Sequence, residues 1–333
     1  MTMANGPKHF LDISAVPSRD LHDIIDDAGR RKALGRDGPK PLAGKVLAMI
    51  FDKPSTRTRV SFDVGMRQLG GETLFLSGTE MQLGRAETIA DTAKVLSRYV
   101  DMIAIRCFPK FQNWQAERED PLISAFAVNA TVPIVNMETI VHPCQELAMM
   151  LALQERHGRV ENKTFLLTWV PHPRPLNTAV ANSALLMASK FGMNMRMLVP
   201  DEAYRLDERY MSAAQASCTA HGTSFDVMTD VEAAYSGVDA VYAKSWGALP
   251  FYGKWEGEAP YRAKGRDFMV DDAKMALTNN ASISHCLPMR RNVKIADSVV
   301  DSAAFLGIEE AENRLHVQKA MMEALARDRD GRS

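Results

Sequence analysis

The apolar run Val46-Leu47-Ala48-Met49-Ile50-Phe51 leads, three residues later, into Ser55-Thr56-Arg57-Thr58-Arg59. A short continuous apolar run reads as a buried strand. Phe62, Met66 and Leu69, spaced to share one helical face and stopped by Gly70-Gly71, read as a helix. A strand thus enters a turn of hydroxyls and guanidinium groups that opens a helix. The first turn of a helix carries unpaired N–H groups and a partial positive charge, which stabilise an oxyanion. Arg57 adds a planar fork that stays charged, and Ser55, Thr56 and Thr58 add short donors. The composition suits a phosphate, without the G-x-x-x-x-G-K-[ST] pattern of a Walker loop. A capped helix with a solvated arginine is the other reading of this stretch taken alone.

Outward from that turn, buried strands alternate with amphipathic helices. Before it, residues 9–34 read as a helix capped by Ser18, with Leu21, Ile24, Ile25 and Ala28 on its apolar side, and 35–44 as a loop. After it come a strand at 73–76, a loop at 77–85 and a helix over 87–99. A strand at 102–105 ends at Arg106; a polar-aromatic insertion fills 108–121, a strand covers 132–135, and His142-Pro143-Cys144-Gln145 opens a helix through Leu153. The alternation restarts with a strand at 164–169, a helix at 179–191 and a strand at 195–199. Short apolar runs follow at 240–242 and at Ile283. The last helix, 309–326, is expected to return to the first half. Strands separated by helices imply right-handed crossovers and parallel sheets. The expected fold is α/β: two doubly wound parallel-sheet domains linked by helices, residues 1–142 with 309–333 forming one and 143–308 the other. Ligands of such sheets collect beyond the carboxyl ends of the strands. The polar clusters at 55–59, 106, 136–145, 169–177, 242–247 and 285–294 fall there.

The bulk properties narrow the classes. A chain of 333 residues has material for about two domains of ~100–200 residues each. A formal charge of −1 gives no broad field for nucleic acid or an anionic membrane, so positive charge has to act locally. No apolar run approaches the ~18 residues of a membrane span, and residues 1–10 lack a signal-peptide core. Cys107, Cys144, Cys218 and Cys286 are scattered without a C-x-x-C pair, which fits a reducing cytoplasm. A soluble, cytoplasmic protein is expected, with no metal or cofactor.

Taken together, the clusters resemble the carbamoyltransferase family, whose members move a carbamoyl group from carbamoyl phosphate to an amine. Ser-Thr-Arg-Thr-Arg at 55–59 is similar to the family's phosphate loop, His142-Pro143-Cys144-Gln145 to its H-P-x-Q motif and His285-Cys286-Leu287-Pro288 to its H-C-L-P motif. Singly, His142 is either a helix-start hydrogen-bonder or a catalytic donor, and Arg106 either a surface charge or a ligand; the three motifs in order favour the second readings. By resemblance, Ser55, Thr56, Arg57, Thr58 and Arg314 hold the phosphate. Thr58, Arg106 and His142 face the carbonyl oxygen, while Gln145 and the carbonyls of Cys286 and Leu287 take the carbamoyl NH2. Gln82 would come from a neighbouring chain of a homotrimer whose active sites are shared between subunits.

The second half is similar to the N-acetylornithine group of the family. It has Asn136-Met137-Glu138-Thr139, Thr168-Trp169 through Asn177, and Lys244-Ser245-Trp246 where ornithine enzymes carry a serine–methionine–glycine loop. The loop at 77–86, with Gln82, is instead similar to that of ordinary ornithine enzymes. Acylation removes the α-ammonium charge, so an acylated amine calls for a pocket and a cation for its carboxylate. The resemblance gives this task to Lys244 and Arg290, positioning to Glu138, Trp169 and Asn177, and the acyl end to Lys294, a lysine that CO2 can carboxylate in this group. Glu87 occupies the place that screens acyl length, where a carboxylate repels a succinyl group. The implied reaction carbamoylates N-acetylornithine in arginine biosynthesis. Ornithine and N-succinylornithine remain the alternative amines, and a non-catalytic ligand-binding protein the alternative class.

Overall fold

Five of the six side chains of Val46–Phe51 are buried, the pattern of a parallel strand covered on both faces. The computed structural model describes residues 9–78 and 87–330, with side chains through Arg327. In chain order the first elements are α1 (Ser18–Leu34), β1 (Val46–Phe51), α2 (Thr56–Gln68), β2 (Glu72–Ser77), α3 (Ile89–Leu96), β3 (Met102–Arg106), α4 (Trp114–Glu117), α5 (Pro121–Asn129), β4 (Ile134–Glu138) and α6 (Pro143–His157). They are followed by β5 (Thr164–Trp169), α7 (Ala179–Lys190), β6 (Asn194–Leu198), α8 (Glu208–His221), β7 (Phe225–Met228), α9 (Val231–Tyr235) and β8 (Ala240–Lys244). The chain ends with α10 (Ala259–Ala263), α11 (Asp272–Ala276), β9 (Ser282–Ser284), α12 (Asp297–Val300) and α13 (Gly307–Asp330).

The described residues divide into two units. The first comprises the chain up to Lys110, Gln115–Leu151 and Glu312 onward; the second comprises Phe111–Trp114 and Ala152–Ala311. The chain passes between them inside α6, after Leu151, because the first turn of α6 is tied to β4: Cys144 Sγ lies 3.7 Å from the Asn136 carbonyl. In the first unit, four parallel strands run in the order β2-β1-β3-β4. One face of this sheet is filled by Ile50, Ile103, Ile105, Phe126 and Ile134. In the second unit, five parallel strands run in the order β7-β6-β5-β8-β9. Each order reverses once, between β1 and β3 and between β5 and β8. In open α/β sheets such a reversal splays the following loops apart and leaves a crevice for ligand. The 55–59 turn and Arg106 stand at the first reversal, Trp169 and Lys244 at the second.

Several boundaries differ from the sequence expectation for identifiable reasons. The N-terminal helix does not run over 9–34: a 3-10 turn, Ile13–Ala15, is capped by Asp12, and α1 starts afresh at Ser18. Pro17, not Ser18, takes the N-cap and makes no side-chain cap bond; it also holds Val16 extended, as the residue before a proline prefers. The helix expected over 87–99 is shortened to α3, whose cap is Thr88, accepting the Asp91 N–H at 3.1 Å. β4 begins at Ile134 and continues to Glu138. Phe10 supports it, donating to the Ile134 carbonyl and accepting the Asn136 N–H, each at 2.8 Å.

Candidate active site

The first unit gathers its polar groups where β1, β3 and β4 end. Ser55 is the N-cap of α2, its hydroxyl accepting the Thr58 N–H at 3.3 Å and donating to Thr58 Oγ1 at 2.9 Å. Arg314, from α13, donates to the same Thr58 oxygen at 2.6 Å. Arg106 ends β3 and forms an ion pair with Glu138 at the end of β4. A register shift between Ile105 and Arg106 places Glu138 opposite Arg106, the kind of bulge that re-aims a side chain. His142 Nε2 lies 3.3 Å from the same Glu138 carboxylate, and the Gln145 N–H bonds the His142 carbonyl at 3.0 Å as α6 begins. Glu138 therefore aligns both Arg106 and His142.

The charge of this cluster is unbalanced. Around Arg314, the charges among the described residues are the cations Arg57 and Arg106 and the carboxylate of Glu138. Burial above all, with Arg106 and Arg57 adding to it against Cys144 and Glu138, lowers the Arg314 guanidinium to about 10, so it remains a cation at neutral pH. The Nε atoms of Arg106 and Arg314 are buried without a hydrogen-bond partner among the described residues. A buried donor left unmade costs about 1–3 kcal/mol, more for a charged group, and an anion would recover it. Burial pushes the Cys144 thiol up to about 12, which excludes it as a thiolate nucleophile at neutral pH.

The second unit presents a different chemistry. Trp169 and Lys244 are register partners at the ends of β5 and β8. Lys244 is buried, with Nζ donating to the Ser245 carbonyl at 3.1 Å. Lys294 is also buried, and its Nζ stands 3.2 Å from His285 Nε2. The Leu287 N–H donates to His285 Nδ1 at 2.9 Å. A backbone N–H only donates, so in the neutral ring this bond leaves the proton on Nε2, facing the lysine. Burial first, then the neighbouring Lys244 and, less strongly, Arg290, bring Lys294 down to about 7, with Cys286 opposing. His172 is lowered as well, mainly by burial, with Lys294, Arg290 and Lys244 acting in the same direction against a hydrogen bond to Arg174. Lys244 and Arg290 thus surround Lys294 and His172 with positive charge.

Other expected residues are placed as follows. Trp169 is in the core, edge-on to Tyr204 and Phe268, and its Nε1 donates to the Trp246 carbonyl at 2.9 Å. Trp246 is equally buried, bonding the Tyr204 carbonyl at 2.8 Å. The two indoles thus support the loop backbones. Asn177 is half-buried and accepts the Ala179 N–H at 3.3 Å. Cys286 and Leu287 are partly exposed, as is Glu87, which precedes the Thr88 cap; Arg290 and Thr56 are exposed and Arg57 half-buried. Gln82 lies outside the described residues. Glu310 escaped the sequence reading: buried, it accepts from Tyr242 at 3.0 Å and from Ser284, bracing the strand ends before His285.

A phosphate-suited turn with a buried arginine cluster on one α/β unit, and Lys244, Lys294 and His285 gathered on the other, fit a transferase of the carbamoyl type. The chain belongs to the aspartate/ornithine carbamoyltransferase family. Residues 8–155 match its carbamoyl-P binding domain and residues 175–325 its Asp/Orn binding domain. It is 50% identical over 335 residues to the N-acetylornithine carbamoyltransferase of Xanthomonas axonopodis pv. citri (strain 306), covering 96% of each chain. It is 44% identical over 324 residues to the ornithine carbamoyltransferase of Rhizobium johnstonii, covering 95% of this chain and 97% of that one. A crystal structure of acetylornithine transcarbamylase complexed with acetylcitrulline superposes with a TM-score of 0.92 at 48% identity, covering 96% of this chain and 99% of that one.

Proposed function

We propose that the protein transfers the carbamoyl group of carbamoyl phosphate to the side-chain amine of N-acetyl-L-ornithine, giving N-acetyl-L-citrulline and phosphate, within arginine biosynthesis. The observation that carries the choice of amine is the positive charge of Lys244 and Arg290 around Lys294 and His172. With its side-chain amine neutral, acetylornithine has net charge −1, whereas free ornithine keeps an α-ammonium that those cations repel. The 50% identity to an N-acetylornithine carbamoyltransferase supports the same choice.

In this reading the first unit binds carbamoyl phosphate and the second the amine. Ser55, Thr56, Arg57, Thr58 and Arg314 hold the phosphate, and Thr58, Arg106 and His142 donate to the carbonyl oxygen as it gains negative charge. Gln145 and the carbonyls of Cys286 and Leu287 orient the carbamoyl NH2. The neutral amine nitrogen attacks the carbonyl carbon, a C–N bond forms, and the C–O bond to phosphate breaks as the proton lost by nitrogen passes to the departing phosphate. Glu138 holds Arg106 and His142 in line and, with Asn177, positions the amine substrate. Lys244 and Arg290 bind the α-carboxylate. Glu87 disfavours a succinyl carboxylate.

Lys294 is proposed as a carboxylated residue. Its amine, close to half unprotonated at neutral pH, attacks CO2 and loses a proton, and the resulting anion offsets Lys244 and Arg290 and accepts hydrogen bonds at the acyl end. The working form is a cytoplasmic homotrimer that shares its sites through Gln82. The side chains of Val60, Leu74 and Phe75, 53%, 48% and 40% exposed at the edge strand β2 and the start of α2, supply apolar surface for that association. No helix among the described residues is long and apolar enough to cross a membrane.

The deciding experiment is a steady-state assay of the purified protein with carbamoyl phosphate and each of acetylornithine, succinylornithine and ornithine. Acetylornithine is expected to give the highest kcat/KM, and a preference for free ornithine would overturn the proposal.

A further inference from the structure

Two loops carry the residues assigned to the amine: 170–177, ending at Asn177, and 245–250, following Lys244. Apart from a 3-10 turn at Leu249–Phe251 they lack regular structure, so other contacts have to fix their backbones. A segment with no part in the chemistry supplies those contacts. It consists of the 3-10 turn Trp255–Glu258 and the helix α10 that continues it. Glu258 has none of its surface exposed, and its carboxylate accepts the Ala248 N–H at 3.0 Å. Its other oxygen lies 3.5 Å from Arg262 Nη2, and Arg262 Nη1 donates to the Pro173 carbonyl at 2.9 Å. One ion pair therefore grips both loops.

Packing reinforces the grip. Gly247 sits so close to Trp255 and Pro175 that a Cβ there would lie 2.8 Å from each. Its N–H joins the two loops directly, bonding the Leu176 carbonyl at 2.9 Å. A buried carboxylate is retained only where its charge and lone pairs are met. Here the charge is met by the Arg262 guanidinium, one oxygen by a loop N–H, and the Tyr204 hydroxyl lies beside the carboxylate, so burial of the charge and placement of the loops depend on each other.

We propose that Glu258 and Arg262 are positioning residues that clamp the 170–177 and 245–250 loops into the geometry required to bind the amine. The proposal rests on the reading of Lys244 and Asn177 as amine-binding residues. The clamp acts on recognition of the amine and not on the phosphate of the donor, which the first unit holds.

The test is steady-state kinetics of Glu258→Gln, Arg262→Ala and Arg262→Lys in the full chain, with Lys244→Ala alongside and circular dichroism melting of each. Glu258→Gln and Arg262→Ala are expected to raise KM for acetylornithine about tenfold, equivalent to ~1.4 kcal/mol, while KM for carbamoyl phosphate stays within about twofold. Arg262→Lys, which keeps the charge, is expected to recover part of the loss. If both Michaelis constants rise together, or only the melting temperature falls, the clamp is refuted and the pair is structural. If Lys244→Ala leaves the amine KM unchanged, the assignment of the amine site fails instead. Should one clamp variant fail to fold, the other, on the opposite side of the ion pair, decides.

Discussion

Lys294 is the residue whose surroundings depart furthest from those of a surface lysine. Its unfolded pKa is near 10.5, and burial among cations brings the folded value to about 7. Between these values the unfolded chain binds a proton that the folded chain does not, so folding stability rises with pH across that window and levels off below about 7. Urea unfolding at pH 7, 8.5 and 10 should show a slope that Lys294→Met flattens; identical slopes would refute the neutral lysine. Arg57 makes a sharper test of the phosphate cradle. Arg57→Ala is expected to lower kcat at least ~10²-fold, as loss of one donor to developing charge does elsewhere, while the circular dichroism spectrum is unchanged. At this scale the sequence was informative wherever a motif fixed both residue type and spacing: Ser55 caps α2, and Thr58, Arg106, His142 and Arg314 fall in one unit. The mutual alignment of Arg106, Glu138 and His142 was not legible, because it depends on a register shift between β3 and β4 that no local pattern encodes.

Among the elements, strands buried on both faces could be read directly, since β1 is a continuous apolar run, β3 is apolar up to Arg106, and β5 is broken only by Thr164 and Thr168. The 108–121 insertion could not. It contains α4 and leads into α5, which starts with Pro121 after a left-handed Asp120, and residues 111–114 belong to the second unit. Its anchor is tertiary: Phe111 and Trp114 pack on Tyr252, and Trp114 Nε1 donates to Asp207 at 2.6 Å. The neighbouring Gly253 has φ +80°, and a Cβ there would meet the Gln112 carbonyl at 2.5 Å. Gly253→Ala is therefore expected to destabilise the fold by roughly 1–3 kcal/mol, read as a lower urea midpoint with unchanged m-value. An unchanged midpoint would mean that this strap is loosely held. The helices α8 to α12 and strand β7 went unread for a related reason: they are short or half-exposed, so their apolar periodicity is weak.

For the whole molecule, the exposed edge at β2 is the feature that bears on assembly. A strand edge with Leu74 and Phe75 outward invites pairing or burial, and Arg59 already lies over the Phe75 ring at 3.8 Å. Phe75→Glu is expected to shift the sedimentation coefficient from that of the proposed trimer towards that of a monomer and to reduce turnover with it. A trimer that keeps its mass would place the contact elsewhere. The two-unit division and both parallel sheets were legible from the alternation of strand and helix, because each crossover needs a helix long enough to show its period.

The buried Glu258–Arg262 pair has a practical bearing on altering what this scaffold accepts. Someone wishing to redirect it to another amino compound would gain little by exchanging Lys244 or Asn177 alone, since the two loops and their brace are interlocked through Gly247 and Trp255. The transplantable unit is the trio of segments 170–177, 244–250 and 255–262, moved as one cassette onto the same five-stranded sheet.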